Sequence, residues 1–352
     1  MTSRVVSHAC LRVRSAVRAM LTGDDCAPHL RGGVVGVAVS GGADSLALAE
    51  ATAYCGARLG LATRGLVVDH GLQEGSAGIA EWAAGTARSL GLDTVRVLSV
   101  DVGDGGGPEA AARRARYAAL RGAMPEGDGL VLLGHTRDDQ AETVLLGLGR
   151  GSGPRSVAGM LPVDPPWARP LLDLPRSVTE RACEELRLRP WRDPHNEDPR
   201  FTRARLRGEV LPLLEEVLQG GVAGALARTA GQLREDLTAL DELAGQLYAR
   251  ASSTTATAGS DGAGELETTV LAAAHRAVRR RAIRRWLLDA GARDLTDGHL
   301  RSVDDLVGAW RGQGGVWLPG NLVASRAHGK LHVHRMPRHR DGGDGPGCDE
   351  AR

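Results

Sequence analysis

The chain has 352 residues, 42% of them hydrophobic, enough for two domains with cores of their own. Its formal net charge of +1 excludes a uniformly basic nucleic-acid coat, and its positive charge is almost entirely arginine, because Lys330 is the single lysine. Aromatic residues make up 3%, which leaves the core to Ala, Val and Leu, and five scattered cysteines (Cys10, Cys26, Cys55, Cys183, Cys348) without a C-x-x-C pair exclude a disulfide framework, a zinc site or an iron–sulfur site.

Residues 4–21 place Val5, Leu11, Val13, Val17 and Leu21 among arginines at helical spacing, which predicts an amphipathic helix. The apolar, β-branched run 34–39 predicts a strand that stops at a Ser/Gly loop, with a helix over 45–59. Strand–helix pairs then recur at intervals of about 30 residues, as parallel sheets require. They fall at 65–68 and 76–90, at 94–100 and 108–123, and at 129–133 and 137–148. This pattern predicts an α/β fold with a doubly wound, mostly parallel, Rossmann-like sheet.

Residues 150–170, rich in Gly and Pro, are too long for a plain connector and predict a functional loop. A helical pattern over 205–248 leads to the low-complexity stretch 251–268, read as a flexible exposed loop. Helices over 270–290 and 297–311 and a hairpin from Gly315 through Asn321 to His334 predict a small α+β domain. The polar, Gly-rich tail from Pro337 predicts disorder. The expected organisation is an N-terminal helix (1–30), a nucleotide-binding catalytic domain (31–215), a helical connector (216–268), a small substrate-binding domain (269–335) and a tail (336–352). No run approaches ~18 apolar residues and no secretory leader is evident, so the chain is expected to be cytoplasmic with no membrane partner.

The loop Ser40-Gly41-Gly42-Ala43-Asp44-Ser45 carries the clearest chemistry. A Gly-rich loop between a strand and a helix N-terminus aims several N–H groups at one point, where the helix dipole favours an anion. An ordinary turn accounts for a bare Ser-Gly-Gly, but not for its place between that strand and that helix. A Walker loop needs a lysine after its last glycine, and Lys330 is far away, so phosphates here are held without a loop lysine. Ser40 closes the first strand, Asp69 and His70 the second, and Gly134 and His135 the fourth. Strand ends in an open parallel sheet border the ligand crevice, so these three points are expected to converge.

The stretch from Gly134 to Thr143 reads GHTRDDQAET. Thr136 and Asp139 have capping-box spacing, and acids suit the first turn of a helix. Capping does not account for His135 and three carboxylates, Asp138, Asp139 and Glu142, crowding one turn. The i,i+3 and i,i+4 spacings put Glu142 on a face with both aspartates. Such a cluster would repel a triphosphate unless a hard divalent cation intervened, which makes Asp44 and Asp139 the candidate Mg²⁺ ligands. Farther on, Arg276, Arg280 and Arg284 recur at i+4 with Arg281 and Arg285 beside them, opposite Ile283, Trp286 and Leu287. A basic face that tracks RNA backbone and a plain surface helix both fit this pattern. His299, His328, His332 and His334 show no metal-ligand spacing.

Ser-Gly-Gly-x-Asp-Ser after a strand resembles the PP-loop of the ATP pyrophosphatases, which cleave ATP to AMP and pyrophosphate. Together with Val68-Asp69-His70-Gly71-Leu72-Gln73 and the 134–143 stretch, it resembles the tRNA(Ile)-lysidine synthases among them. The resemblance continues in Glu109 to Tyr117 (E-x-x-A-R-x-x-R-Y), Arg150 to Gly153, Arg169-Pro170-Leu171-Leu172, Trp191 to Asp198, and Arg203 to Arg207. It spans about residues 34–333, with 275–333 like that family's small substrate-binding domain, and implies a short form without the last C-terminal domain of longer members. His195, Ala204 and Pro154 depart from the family pattern.

The resemblance implies a ligase. ATP adenylates the 2-keto oxygen of the wobble cytidine of tRNA(Ile) with a CAU anticodon, and the ε-amine of free L-lysine displaces AMP to give lysidine. Carried onto this sequence, it implies ATP contacts at Ser40, Gly41, Gly42, Ala43, Asp44, Ser45, Asp69, His70 and Gly134. It implies catalytic roles for Asp44, Asp139 and His135, Mg²⁺ at Asp44 and Asp139, and substrate or AMP contacts at Arg113, Asp138, Glu142 and Arg207. A tRNA thiolase on the same loop is the competing enzyme reading, and the scattered cysteines count against it. A tRNA-binding module without turnover is the other, and Asp44, Asp138 and Asp139 beside a full loop count against that.

Overall fold

The structure, a computed structural model, describes residues 8–71, 75–102, 108–124, 129–151, 153–194, 198–253 and 264–336, with no side chains described for 108–110. The chain divides into two compact units, Met1–Leu233 and Arg234–Arg352.

Unit 1 opens with α1 (His8–Leu21), whose buried face is Ala9, Cys10, Val13, Val17 and Leu21. Leu11, expected on that face, is 50% exposed, and Val5 lies outside the described residues. Then come β1 (Val34–Ala38), α2 (Ala43–Leu59), β2 (Ala62–Asp69), α3 (Ser76–Ser89) and β3 (Thr94–Ser99). They are followed by α4 (Pro108–Gly122), β4 (Leu130–Leu132) and α5 (Arg137–Gly149). The alternation expected from the sequence is present, with element ends shifted by up to three residues.

The stretch expected to be a functional loop instead forms a short helix, α6 (Pro154–Val157), and two strands, β5 (Val163–Asp164) and β6 (Trp167–Ala168). β6 pairs parallel to β4 and β5 antiparallel to β6, so this segment extends the sheet. Its anchor is Trp167, 6% exposed, whose ring meets Tyr117 edge-on at 4.7 Å. Apolar periodicity cannot register two-residue strands, so only the Gly/Pro content was visible.

The sheet order is β3-β2-β1-β4-β6-β5. From β1 the chain builds outward through β2 and β3, then returns to place β4 on the other side of β1. That reversal is the switch point where the loops after β1 and β4 part and leave a crevice. Leu46, Leu48, Leu66, Leu130, Leu132 and Leu171 are fully buried around it with small Ala side chains of α2 and α3, as the composition requires. α7 (Arg176–Glu185) follows, then α8 (Thr202–Arg205), a π-helical turn (Leu206–Val210), α9 (Leu211–Val217) and α10 (Val222–Ser253). The helical pattern over 205–248 is thus several segments, broken before α10 by Gly220 and Gly221 in the left-handed region.

Unit 2 holds β7 (Leu266–Glu267), α11 (Thr268–Ala272), α12 (Arg276–Asp289), α13 (Asp297–Gly308), β8 (Val316–Leu318), β9 (Leu322–Ala327) and β10 (Lys330–Arg335). The strands form an antiparallel sheet in the order β7-β10-β9-β8. Ala324, Leu318, Leu322 and Leu331 pack from it against Ile283, Trp286, Leu287 and Leu306. The helix expected over 270–290 is two, because the His275 ring accepts the Ala277 N–H and starts α12 afresh. The one expected to reach 311 stops at Gly308. Residues 254–263 of the low-complexity stretch, the tail from residue 337, and His195 lie outside the described residues. Among those described, no single helix is long and apolar enough to cross a membrane.

The arginine row of α12 does not stand free. Arg279 donates to Asp304 Oδ1 at 2.6 Å and Arg280 to Asp304 Oδ2 at 3.0 Å, while Arg281 lies 3.5 Å from Asp241. Asp304 is 3% exposed and joins α13 to α12 through two guanidinium groups. Removing it leaves a buried charge uncompensated, so Asp304→Ala should destabilise unit 2 by about 3–5 kcal/mol, against about 1 kcal/mol or less for the half-exposed Arg280→Ala. Urea unfolding followed by tryptophan emission measures both.

Candidate active site

β1 delivers the Gly-rich loop to the crevice. The Val39 N–H donates to Leu66 O at 2.9 Å and keeps the chain extended to the sheet edge. Gly41 then turns with φ 85, and Gly42 caps α2. A side chain at Gly41 is excluded twice, by the left-handed backbone and by the Trp82 ring 2.9 Å from where its Cβ would sit. Ser45 Oγ accepts the Ser40 N–H at 3.1 Å and donates to Gly42 O at 2.9 Å. The Trp191 N–H donates to Gly41 O, also at 2.9 Å. The loop is therefore pinned on two sides, with the N-terminus of α2 behind it, which is the arrangement that receives a phosphate.

The loop after β4 closes on the same point. A Cβ at Gly134 would lie 3.2 Å from the Asp44 carbonyl and the Ser45 nitrogen, so only glycine lets β4 run this near α2. Where the two loops meet is a cavity of about 610 Å³. Ala38, Val39, Leu66, Val68, Leu120 and Leu133 form an aliphatic slot in it. Ser40, Asp44, His135, Asp139, Arg176 and Arg207 form a polar wall, and Glu180, Glu184, Trp191 and Asp193 also line the cavity.

The polar wall is a network of opposite charges. Arg176, the first residue of α7, donates from Nε to Asp44 Oδ2 at 3.2 Å and from Nη2 to Asp139 Oδ1 at 2.7 Å. Its backbone N–H donates to Asp138 Oδ2 at 2.8 Å. Thr179, one turn on, donates its hydroxyl to Asp44 Oδ1. Asp139 Oδ2 accepts both the N–H and the hydroxyl of Thr136 at 2.8 Å, and Oδ1 also accepts from Arg207 at 3.3 Å. Glu142, wholly buried, accepts from Arg207 at 2.8 Å and from Arg203 at 3.4 Å.

Burial pushes the Asp44 carboxyl up to about 6, with Arg176 and Thr179 opposing the rise. Burial acts on Asp139 in the same direction, but Arg176 and the Thr136 N–H outweigh it and hold Asp139 below the usual carboxylate range. Burial holds His135 well below the usual imidazole range, and the arginines at 169, 116 and 113 add to this, so the ring is neutral. The His70 ring is lowered by burial and by Arg116. The Nδ1 atoms of both histidines are buried with no hydrogen-bond partner among the described residues. Arg116 is lowered by burial and by the neighbouring cations Arg113 and Arg203, with the Tyr117 side chain opposing the shift.

Of the residues expected at the site, Ser40, Gly42, Ala43, Asp44, Ser45, His70, Gly134, His135, Asp139 and Arg207 line the cavity. Five others do not. Gly41 shapes the loop from behind, and Asp69 accepts the Gly71 N–H at 3.1 Å in the turn after β2. Asp138 caps α7, and Glu142 sits behind Arg207. Arg113 is exposed on α4, 3.3 Å from the Tyr117 hydroxyl. Among the departures, Ala204 lies in α8 and Pro154 opens α6, where proline is well suited.

Arg176, Thr179 and the acidic border of α7 were not among the expected site residues, and Arg116 figured only as the second arginine of the 109–117 motif. One signal pointed to Arg176: a cation at the first position of a helix opposes the dipole, and such a residue needs anions close by.

Comparison with known proteins places this geometry. Residues 22–214 match the PP-loop domain family and residues 266–332 match the TilS substrate binding domain. The tRNA(Ile)-lysidine synthase of Mycobacterium tuberculosis is 59% identical over 306 residues, 86% of this chain and 91% of that one. The one from Nocardia farcinica is 54% identical over 336 residues, 93% and 98% of the two chains. Among solved structures, a U34-tRNA thiolase from Methanococcus maripaludis with its 4Fe-4S cluster has the same fold, with TM-score 0.52, 18% identity, and coverage of 64% of this chain and 80% of that one. With a PP-loop at the switch point and relatives of this identity over nearly their whole length, the chain belongs to the tRNA(Ile)-lysidine synthase family of ATP-using ligases.

Proposed function

We propose that this protein joins free L-lysine to C2 of the wobble cytidine of tRNA(Ile) with a CAU anticodon, in two steps at the cavity of unit 1. The observation that carries this reading is the pairing of a pre-shaped phosphate loop with an aliphatic slot and a wall of acids in one cavity. Adenine takes the slot lined by Leu66, Leu120 and Leu133, and the phosphates rest on the N–H groups of residues 41–45. The cytidine, splayed from its stack, brings its 2-oxygen to the α-phosphorus. That oxygen bonds to phosphorus as the bond to pyrophosphate breaks. In the second step the lysine ε-nitrogen bonds to C2, the C2–O bond breaks, and AMP leaves with the oxygen.

The residues fit Mg²⁺ as the ion that accompanies ATP. Asp44 Oδ2 accepts from Arg176 and Oδ1 from Thr179, which leaves each oxygen a lone pair beside the loop. Asp139 is also on this wall, but its four acceptor positions are taken by Thr136, Arg176 and Arg207. Among the described residues, no three His, Cys, Asp or Glu side chains gather into a cage. This suits an ion that keeps waters and phosphate oxygens and takes only one or two carboxylates. Mg²⁺, when bound, neutralises charge as pyrophosphate departs.

The chain's own groups do the rest. Arg116, buried beside Arg113 and Arg203, offers its charge to a substrate phosphate. His135, neutral, lines the cavity and keeps a buried Nδ1 without a hydrogen-bond partner among the described residues. Asp139 and Glu142, paired with Arg176, Arg203 and Arg207, are the acids on this wall that a lysine ammonium would meet before it gives up its proton. Unit 2, matched to a substrate-binding domain, is the proposed reader of tRNA features outside the anticodon, because the anticodon alone cannot distinguish tRNA(Ile) from the methionine tRNA that shares CAU.

The deciding experiment measures AMP release. It is expected only when tRNA(Ile) with a CAU anticodon, free lysine, ATP and Mg²⁺ are all present, with lysine recovered on the tRNA. AMP release together with sulfur incorporation, or none under any condition, would overturn the reading. Asp44→Asn should lower AMP formation by about 100-fold or more while the fold persists, as expected for a group acting on charge developed in the transition state. Arg116→Met separates function from stability. It should lower kcat/KM by a similar factor while leaving Tm unchanged or raised, because a cation drawn from water beside other cations is costly to the fold. A large fall in Tm would show instead that Arg116 is structural.

A further inference from the structure

Arg176 occupies an unusual position. It begins α7, directly after Pro175, where a helix dipole repels a cation. Three anions offset this: Asp138 on its backbone N–H, Asp44 on Nε and Asp139 on Nη2. The last two are the carboxylates that face the phosphate loop. They come from the first turns of α2 and α5, and the Arg176 side chain between them is 19% exposed, with its head in the cavity. The guanidinium thus provides at this point what a divalent cation would provide, positive charge shared by two carboxylates in a low-dielectric pocket.

Two cations cannot both take the same lone pairs. Asp139 has no acceptor position left while Arg176 and Arg207 are on Oδ1 and Thr136 is on Oδ2. We propose that Arg176 is a positioning residue, the resident counter-ion that bridges Asp44 and Asp139, holds them aimed into the cavity and competes for them with the nucleotide's divalent cation. On this view Arg176 gives up its bond to Asp139 when the metal-bound nucleotide binds, and its planar donors become available to phosphate oxygens. Divalent-cation binding is thereby tied to nucleotide binding, since phosphate oxygens offset what Arg176 loses. The inference rests on the ATP-and-Mg²⁺ reading above.

The test uses the full chain without nucleotide and reads Mn²⁺ binding by electron paramagnetic resonance, for wild type, Arg176→Met and Arg176→Lys. Removing a competing cation should tighten Mn²⁺ binding by about tenfold or more in Arg176→Met, a coupling of ordinary size. Arg176→Lys, which keeps the charge but cannot span both carboxylates, should fall between wild type and Arg176→Met. In the wild type, ATP should raise Mn²⁺ affinity by a larger factor than in Arg176→Met. Equal or weaker Mn²⁺ binding in Arg176→Met overturns the proposal and leaves Arg176 a helix-start residue, a role that would not move metal affinity. Should Arg176→Met fail to fold by circular dichroism, Arg176→Lys decides alone, with tighter Mn²⁺ binding supporting competition and unchanged binding overturning it. Metal-dependent AMP release by the wild type, measured in parallel, separates failure of this inference from failure of the functional reading.

Discussion

Arg176 reaches Asp44 at 3.2 Å and Asp139 at 2.7 Å, and with those contacts α7 is tied to the first turns of both α2 and α5. The three helices border one cavity, and their relative placement sets its shape. α2 brings the phosphate loop, α5 brings the carboxylate-rich turn, and α7 brings the cation between them. Thr179 adds a second bond to Asp44 one helical turn further on, so α7 is fixed at two levels. The glycines at 41 and 134 are the backbone counterpart of this arrangement, since each permits an approach that a side chain would block. Shape and charge at the site therefore depend on the same few residues.

Much of that charge is held at a cost to the fold. Asp44 is buried far enough that its carboxyl is pushed up to about 6 even with Arg176 beside it. Arg116 is buried with cations for neighbours, and two imidazole nitrogens are enclosed without partners. Unsatisfied groups of this kind are uncommon in a fold shaped for stability alone. His70, His135 and Arg116 all line the same cavity of unit 1, where an incoming ligand can meet them. The rest of unit 1 is compact Ala, Val and Leu packing, which supplies the rigidity such a site needs.

The sequence carried the local parts of this account plainly. The strand, loop and helix around Ser40 to Ser45 announce themselves through contiguous residues, and the Thr136–Asp139 capping box has its three-residue spacing written in the chain. Alternating elements were enough to place Ser40, His70 and His135 at strand ends that converge. What was not legible was long-range. Arg176 and Asp44 are 132 positions apart, and nothing in their separate surroundings joins them. The arginine row of α12 was ambiguous for the opposite reason: its local pattern fits a basic face and a plain surface helix alike, and nothing in that pattern shows that Arg280, one of its members, shares Asp304 of α13 with Arg279. Arg113 and Arg116 differ by one helical turn, and periodicity alone did not reveal that Arg116 faces the cavity while Arg113 points to solvent.

A composition with so few aromatics gives each indole a separate address. Trp82 lies against Gly41 of the phosphate loop, and Trp191 is bonded through its backbone to the same glycine. Both are about two-fifths exposed, while Trp286 is fully buried in the core of unit 2. Ultraviolet emission from the unlabelled protein sums these three with Trp167, buried in unit 1, and with Trp310 and Trp317, both exposed in unit 2, so difference spectra against single Trp→Phe variants separate the contributions. Quenching or a wavelength shift at Trp82 and Trp191 reports what arrives at the phosphate loop, and the deeply buried Trp286 reports only when unit 2 opens. Replacing either indole of the first pair with Phe would assign its signal, so ligand arrival and unfolding can be followed optically in the same sample without attaching a dye.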